Sequence, residues 1–200
     1  MTRRDDSKAE TRKLILYAAH DLFWKRGAHE CTMRDIAKKA GVSPASIIVH
    51  FKSKTALLEA ALYEKIKKTL AGAIATAPSN KGFHAVLVHI ASAMFSFYNK
   101  NRELYRVLVR DTLFEPDPKN PSMAQLDEGN LEYIAALIEQ EKEKGAVRME
   151  IDSYLAASSI FYLYIGVLRD FLRNPELSPT RAVKRLSAIL EQHLSGILTR

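Results

Sequence analysis

The 200-residue sequence holds a single cysteine, Cys31, and therefore cannot form an internal disulfide. A lone thiol is typical of a protein in a reducing compartment. Cys31 also lacks the neighbours expected of a metal site, and we expect it to be a small buried or half-buried side chain. The opening stretch is charged and polar, without the apolar segment of a signal peptide, and predicts a cytoplasmic protein.

Long apolar runs are also missing. The uncharged stretch at residues 153–168 is shorter than the roughly 20 residues that a membrane-spanning helix needs, and it contains three serines. We therefore expect a buried helix there and no membrane partner. The chain is long enough to bury a hydrophobic core without disulfides or structural metal ions. Its 47% apolar and 26% charged residues are typical of a globular protein.

Motifs for catalysis are absent as well. The sequence contains no nucleophile elbow, no phosphate-binding glycine loop and no zinc-protease helix motif. His84 and His89 are five residues apart, which places them on different faces of a helix and argues against a shared metal. We predict that the protein is not an enzyme and that it needs neither a metal nor another cofactor.

What the chain does have is positive charge at one end. Residues 1–54 contain 12 Lys and Arg against 6 Asp and Glu, whereas residues 55–200 contain 18 against 17, within a net charge of +7. A basic N-terminal module on a nearly neutral body suggests a polyanionic partner, of which nucleic acid is the commonest, although charge alone could equally serve solubility.

Glycine and proline cluster at a few places, and the stretches between them have helical periodicity with hardly any strand signal. Capping boxes are predicted at Ser7–Glu10 and Thr32–Asp35, a helix stop at Gly27 and another at Gly41. We predict an all-α fold of about nine helices, divided into domains at 1–54 and 55–200. The five C-terminal helices are expected near 83–100, 102–114, 123–144, 152–173 and 179–198.

Two short helices within residues 32–51 form a generic helix-turn-helix pattern. Ala37 supplies the small residue where two helices touch, and Gly41 supplies the turn residue that tolerates positive φ. Ser43 then caps the second helix, with Pro44 at its first position. This spacing leaves residues 44–50 free to enter a major groove, although an ordinary helical hairpin inside a bundle has the same pattern.

Further elements at fixed spacing extend the pattern on both sides. They are Leu22-Phe23-x-x-x-Gly27 before it and His50-Phe51-x-Ser53-Lys54-x-x-Leu57-Leu58 after it. With these elements the sequence resembles the TetR family of bacterial transcriptional regulators, at motif level over residues 11–61. The resemblance implies a homodimeric repressor that binds a palindromic operator in double-stranded DNA and is released by a small-molecule effector.

The resemblance also implies roles for single residues. Thr32 should give its hydroxyl and its free backbone N–H to a phosphate, and Arg34 should contact a base edge or phosphate. The other predicted DNA-binding residues lie on or beside the second helix of the pair: Ser43, Pro44, Ala45, Ser46, Val49, His50 and Lys54. Ser43 is first of all a helix cap, and His50 could instead be a solvated histidine.

The recognition helix departs from the family at one position. Most relatives have Tyr where this chain has Ile48, which cannot donate a hydrogen bond to the DNA backbone. Ala45 and Val49 likewise offer apolar contact only, most naturally to a thymine methyl group. We therefore expect DNA shape and T-rich positions to contribute more to specificity than bidentate hydrogen bonds do. Outside this helix, Arg3, Arg4 and Lys8 form either an arm along the DNA or a solvated tail.

The family places dimerisation on the last two long helices. Gly166 would permit close helix approach, and the predicted interface also contains an apolar stripe that could equally be internal core: Val183, Leu186, Leu190, Leu194 and Ile197. An apolar effector cavity is implied for the middle helices, where aromatic residues accumulate. Its predicted lining, unless these are ordinary core side chains, is Phe95, Tyr98, Tyr105, Val109, Tyr133, Phe161 and Tyr164.

One alternative function is left open by the sequence. The C-terminal domain of a TetR-like DNA-binding protein could bind a protein partner rather than a small molecule. A cavity open to small molecules would favour the effector, whereas a closed domain with a large exposed apolar patch would favour the protein partner.

Overall fold

A computed structural model describes residues 3–114 and 121–196 of the chain, and all of its regular structure there is helical. The all-α prediction is confirmed, and the predicted helices of the C-terminal half begin and end within a few residues of their expected positions. The nine α-helices are α1 Arg3–Glu30, α2 Met33–Ala40, α3 Pro44–Phe51, α4 Lys54–Ala75, α5 Phe83–Tyr98, α6 Arg102–Phe114, α7 Pro121–Glu143, α8 Ser153–Arg173 and α9 Pro179–Leu194.

Local capping explains where the short helices begin and end. The Thr32–Asp35 capping box is present in both directions, and Gly41 ends α2 in the left-handed conformation at φ 69°. The Ser43 hydroxyl accepts the backbone N–H of Ser46 at 3.1 Å, with Pro44 at the first position of α3. The predicted box at Ser7 is wrong: α1 already begins at Arg3, so Ser7 lies inside the helix and its carbonyl accepts a bond from Thr11.

Gly27 interrupts α1 as expected, with non-helical φ 79° and ψ 160°, before the chain continues to Glu30. The side chain of Cys31, just beyond, is fully buried. By packing, the chain separates into two compact units, Met1–Ile66 with Asn101–Ala124 and Lys67–Lys100 with Gln125–Arg200. The packing boundary thus falls inside α4, and α6 packs with the N-terminal helices.

The first packing unit has a core of side chains from α1, α2 and α3. Ile15, Phe23, Ile36 and Ile47 are all completely buried, and α1 packs on α2, which packs on α3. At the surface of this core Asp21 joins α1 to α2, because its carboxylate lies 2.8 Å from the Lys39 amine and 2.9 Å from that of Lys25. Hydrogen bonds from these two cations lower the pKa of Asp21 to about 2.

The second packing unit is built around α5, α8 and α9. Phe95 of α5 and Phe171 of α8 meet edge to face with ring centroids 5.1 Å apart, and both are completely buried. Near the start of α5, the His84 imidazole lies 3.1 Å from the carbonyl oxygen of Ser187 in α9. These contacts place one face of α8 and one face of α9 in the interior.

The opposite face of α8 is uncovered. Leu155 and Tyr162 are 66% and 71% exposed, and Gly166 continues their line one turn further on. The expectation of a buried helix here is therefore correct for one face only. By length and composition alone α8 is the one described helix that could cross a membrane, a test that core helices of soluble proteins also pass.

Candidate nucleic-acid interface

The turn between α2 and α3 fixes which face of α3 is open. The backbone N–H of Val42 donates to the Ala37 carbonyl at 3.0 Å, which closes the turn around Gly41. Ile47 and Phe51 then point into the core, as predicted. Because residues on one side of a helix recur every three to four positions, the side opposite Ile47 and Phe51 faces solvent.

The exposed face of α3 is unusually apolar. Val49 is 74% exposed and Ile48 is 49% exposed, next to the exposed Pro44 and Ala45. Exposed aliphatic side chains on a short, well-anchored helix favour a contact surface over a solvated one. Together with the half-buried Ser46 and His50, this surface contains every α3 residue that was predicted to meet DNA.

Sequence inspection missed Arg12, which anchors α3 from the side. Its guanidinium carbon lies 4.4 Å from the centroid of the Phe51 ring, and Nη1 donates to the His50 carbonyl at 3.4 Å. The guanidinium thus stacks on an aromatic face and also meets the negative end of the α3 dipole. No local pattern could indicate this contact, since 38 positions separate Arg12 from His50 in the chain.

A groove of about 400 Å³ lies between the start of α1 and the end of α3. Its lining combines cations with the exposed edge of the recognition helix: Asp5, Lys8, Ala9, Arg12, Val49 and His50. Burial lowers the pKa of His50, and the positive charges of Lys8 and Arg12 lower it further. A phosphate entering this groove would meet two permanent cations and a histidine that gains a proton as the anion approaches.

Thr32 requires a correction. Its hydroxyl and its backbone N–H both donate to the Asp35 carboxylate, at 2.6 and 2.9 Å. Neither donor is free, so the prediction that both are available to a phosphate is wrong for this structure. The first-turn N–H groups of Met33 and Arg34, which the capping box does not use, are the donors that the start of α2 offers to an anion.

The remaining predicted DNA contacts lie at the starts of two helices. The Arg34 side chain is exposed in the first turn of α2. Lys54 begins α4, and its amine donates to the His29 carbonyl at 3.4 Å, beyond the break in α1. Lys54 therefore stabilises the first unit, in addition to any contact that it makes with DNA.

The predicted effector residues divide between the two packing units. Tyr105 and Val109 lie on α6 in the first unit. In the second unit Tyr164 lies beside Phe95 and Phe161, with ring centroids 5.7 and 6.5 Å apart. Tyr98, from the end of α5, also belongs to this group because its phenol interacts electrostatically with that of Tyr164. Tyr133 is half-buried on α7.

The predicted dimer stripe is mostly internal. Leu186, Leu190 and Leu194 are almost completely covered within a single chain, so the prediction that they meet a second subunit is wrong. They are buried because α9 packs against α5 and α8. Val183 is half-buried and Gly166 is exposed, whereas Ile197 lies outside the described residues.

Comparison with known proteins agrees with this architecture. Residues 15–61 match the family model described as bacterial regulatory proteins, tetR family. The HTH-type transcriptional regulator UidR of Escherichia coli K12 is 27% identical over 193 residues, which cover 94% of this chain and 93% of that protein. The match therefore extends well beyond the helix-turn-helix.

Solved structures show the same fold. A TetR-family transcriptional regulator from Pectobacterium atrosepticum superposes with a TM-score of 0.74 at 21% identity, over 100% of this chain and 99% of that one. Thermus thermophilus FadR, a TetR-family transcriptional repressor in complex with lauroyl-CoA, has a TM-score of 0.67 at 25% identity and covers 94% and 96%. These proteins are regulators rather than enzymes.

Proposed function

The chain belongs to the TetR family of DNA-binding transcriptional regulators, and we propose that it is a cytoplasmic, homodimeric repressor of a palindromic operator. A small apolar or aromatic effector would release it from that operator. The observation that carries the DNA-binding half of this proposal is the exposed apolar face of α3, held by Arg12 and bordered by the groove with Lys8 and His50.

In this proposal α3 enters the major groove and its neighbours hold the DNA backbone. Ala45 and Val49 contact thymine methyl groups, and Ser46 bonds a base edge. His50, Arg34 and Lys54 contact phosphates, together with the free N–H groups at the start of α2. Ser43 and Pro44 act mainly by starting α3 at the correct place, because one caps the helix and the other presets its first turn.

The proposed dimer forms through α8 and α9. The exposed line of Leu155, Tyr162 and Gly166 replaces the buried leucine stripe as its centre, with the half-buried Val183 at the border. Leu155 and Tyr162 are seven residues apart and Gly166 follows four later, so all three lie on one face. A two-fold axis through this face would present two copies of α3 to the two half-sites of a palindrome.

The effector part of the proposal depends on the second packing unit. Phe95, Tyr98, Phe161 and Tyr164 gather aromatic surface with two phenols there, a composition typical of small-molecule sites. Lauroyl-CoA is bound by the FadR relative, which supports a small molecule over a protein partner. The effector would act by favouring a spacing of the two DNA-binding units that does not match the operator.

Titration of operator DNA tests the proposal. DNA selected from a random pool by the purified protein should contain an inverted repeat with T-rich half-sites, and binding should weaken steeply between two salt concentrations. Arg34→Ala should lower affinity for this DNA and reduce the salt slope. Lys81→Ala, which removes the same charge from an exposed turn of the second unit, should change neither. Binding that ignores sequence, or selection of a single asymmetric site, would contradict the proposal.

A further inference from the structure

The side of α1 that faces away from the core of the first packing unit carries large apolar side chains. Tyr17 is 76% exposed, and Leu14 and Trp24 are exposed as well. Leu14 precedes Tyr17 by three residues and Trp24 follows it by seven, so the three form a line on one face of the helix, here called the α1 stripe. Single exposed apolar residues are common, whereas an aligned group with a tyrosine and a tryptophan has the composition of a protein interface.

The α1 stripe lies on the opposite side of the helix from the groove proposed to hold DNA. Lys8 and Arg12 line that groove. With 3.6 residues per turn, the direction of Lys8 differs from that of Tyr17 by about 180°, and the direction of Arg12 differs from that of Leu14 by about 160°. DNA held by α3 and this groove therefore leaves the α1 stripe open to a partner.

Trp24 has a fixed position at one end of the α1 stripe. Its ring stacks on the imidazole of His20 with centroids 6.1 Å apart, and the Lys65 amine of α4 lies 5.5 Å from the centroid of the indole. A side chain that is already held in place loses little conformational freedom when a partner binds. Trp24 is therefore a preformed anchor for a contact.

The two ends of the stripe carry opposite charge. The exposed carboxylates of Asp6 and Glu10 continue its line toward the N-terminus of α1, because Asp6 precedes Glu10 by four residues and Glu10 precedes Leu14 by four. Three lysine amines lie around the other end: Lys25, Lys39 and Lys65. Two of these amines share the carboxylate of Asp21, so positive charge is in excess there.

A surface with an apolar centre and ends of opposite charge is complementary to a second copy of itself. Glu10 and Trp24 are each seven residues, or two helical turns, from Tyr17. When two such helices pack antiparallel about a two-fold axis at Tyr17, Glu10 of one copy lies opposite Trp24 and Lys65 of the other. A parallel arrangement would instead bring like charges together at both ends.

We infer that the α1 stripe binds the α1 stripe of a second copy of this chain in the antiparallel arrangement. This contact is separate from the proposed dimer face on α8. Since it involves few side chains of each copy, it is weaker than a stable dimer interface and forms as the protein concentration rises. Two dimers bound at neighbouring DNA sites can then hold each other through the sides that face away from the DNA.

Sedimentation equilibrium of the full-length protein, without DNA, tests this inference. The weight-average mass of the wild type should rise above that of one dimer between low and high micromolar concentration. Tyr17→Lys places two like charges face to face at the two-fold axis and should raise the dissociation constant of this step by roughly tenfold or more. Met149→Lys is the matched control, because Met149 is 74% exposed but lies in the second packing unit, and it should behave as the wild type.

A charge swap separates a direct contact from a general effect on the surface. Glu10→Lys places a cation opposite the positive end of the other copy, and Lys25→Glu places a carboxylate opposite Glu10, so each change alone should weaken association. The double variant brings opposite charges together again and should associate more strongly than either single variant. Circular dichroism of all variants should match the wild type, because the side chains that change are exposed.

Three results would each overturn the inference. These are a wild-type mass that does not rise with concentration, a rise that Tyr17→Lys leaves unchanged, and a double charge variant that associates no better than the single ones. Failure of the proposed function is distinguishable, because the measurement uses no DNA. Loss of the α8 dimer is distinguishable too, since Tyr162→Lys removes that step whereas Tyr17→Lys removes only the one at higher concentration.

Discussion

Arg12 has a structural role that its position in the sequence does not indicate. It stacks on Phe51 and bonds the His50 carbonyl, so it holds the end of α3 that must stay fixed when DNA is bound. Arg12→Met keeps the apolar stem and removes both interactions. Because a cation–π contact and a charged hydrogen bond together are worth about 1–2 kcal/mol, operator affinity should fall by roughly tenfold.

Fluorescence anisotropy with labelled operator measures this loss. Lys13→Met is the control, since it removes the same charge from the next, exposed residue of α1. If Arg12→Met weakened binding no more than Lys13→Met does, Arg12 would act only as one more positive charge near the DNA.

His50 makes operator binding sensitive to pH. Burial lowers its pKa in the free protein, with Lys8 and Arg12 adding to the effect, so the neutral form of the ring is favoured. A phosphate beside the ring would raise that pKa, and the complex would take up a proton. Operator affinity should therefore increase as the pH falls from 8 to 6 at constant ionic strength.

His50→Gln should flatten this profile in the same anisotropy assay, because glutamine keeps a donor but does not titrate in this range. If the operator affinity of His50→Gln still depended steeply on pH, the proton taken up on binding would belong to another group.

At the scale of the helix, the N-terminal cap of α2 is both structural and functional. Thr32→Ala removes one half of the capping box, which should destabilise the first unit by about 1 kcal/mol. Operator affinity should also fall, because the N–H groups of Met33 and Arg34 lose their fixed direction. Thr32→Ser keeps the hydroxyl and should restore both properties in thermal unfolding and anisotropy measurements. If Thr32→Ala bound the operator with wild-type affinity, the start of α2 would not contribute to the DNA contact.

Helix ends were predictable because their causes are local. The Thr32–Asp35 box, Gly41 and Ser43 act over three or four residues, and the structure has each of them. Ser7 has the same spacing but not the same role, since four further residues before it also form helix. A capping pattern therefore indicates a possible helix start, and the preceding residues decide whether the start is used.

Which neighbour an apolar stripe meets was not predictable from one chain. Leu186, Leu190 and Leu194 have the spacing of an interface, but α9 packs against α5 and α8, which buries them inside the subunit. The exposed line of Leu155 and Tyr162 on α8 was not predicted, because serines interrupt it and the whole segment resembles a buried helix.

For the whole molecule, dimerisation decides whether one weak DNA contact becomes a specific one. Tyr162→Lys places a charge in the middle of the exposed face of α8 and should convert the dimer to monomer, which light scattering would detect as a halved mass. Operator affinity should then fall by several orders of magnitude, because each half-site must be bound separately. Met149→Lys is the control, since Met149 is 74% exposed but lies outside α8. If Tyr162→Lys remained a dimer, the two-fold axis would lie elsewhere on the molecule. If the protein instead bound lipid vesicles through α8, the exposed face of α8 would be a membrane-binding surface.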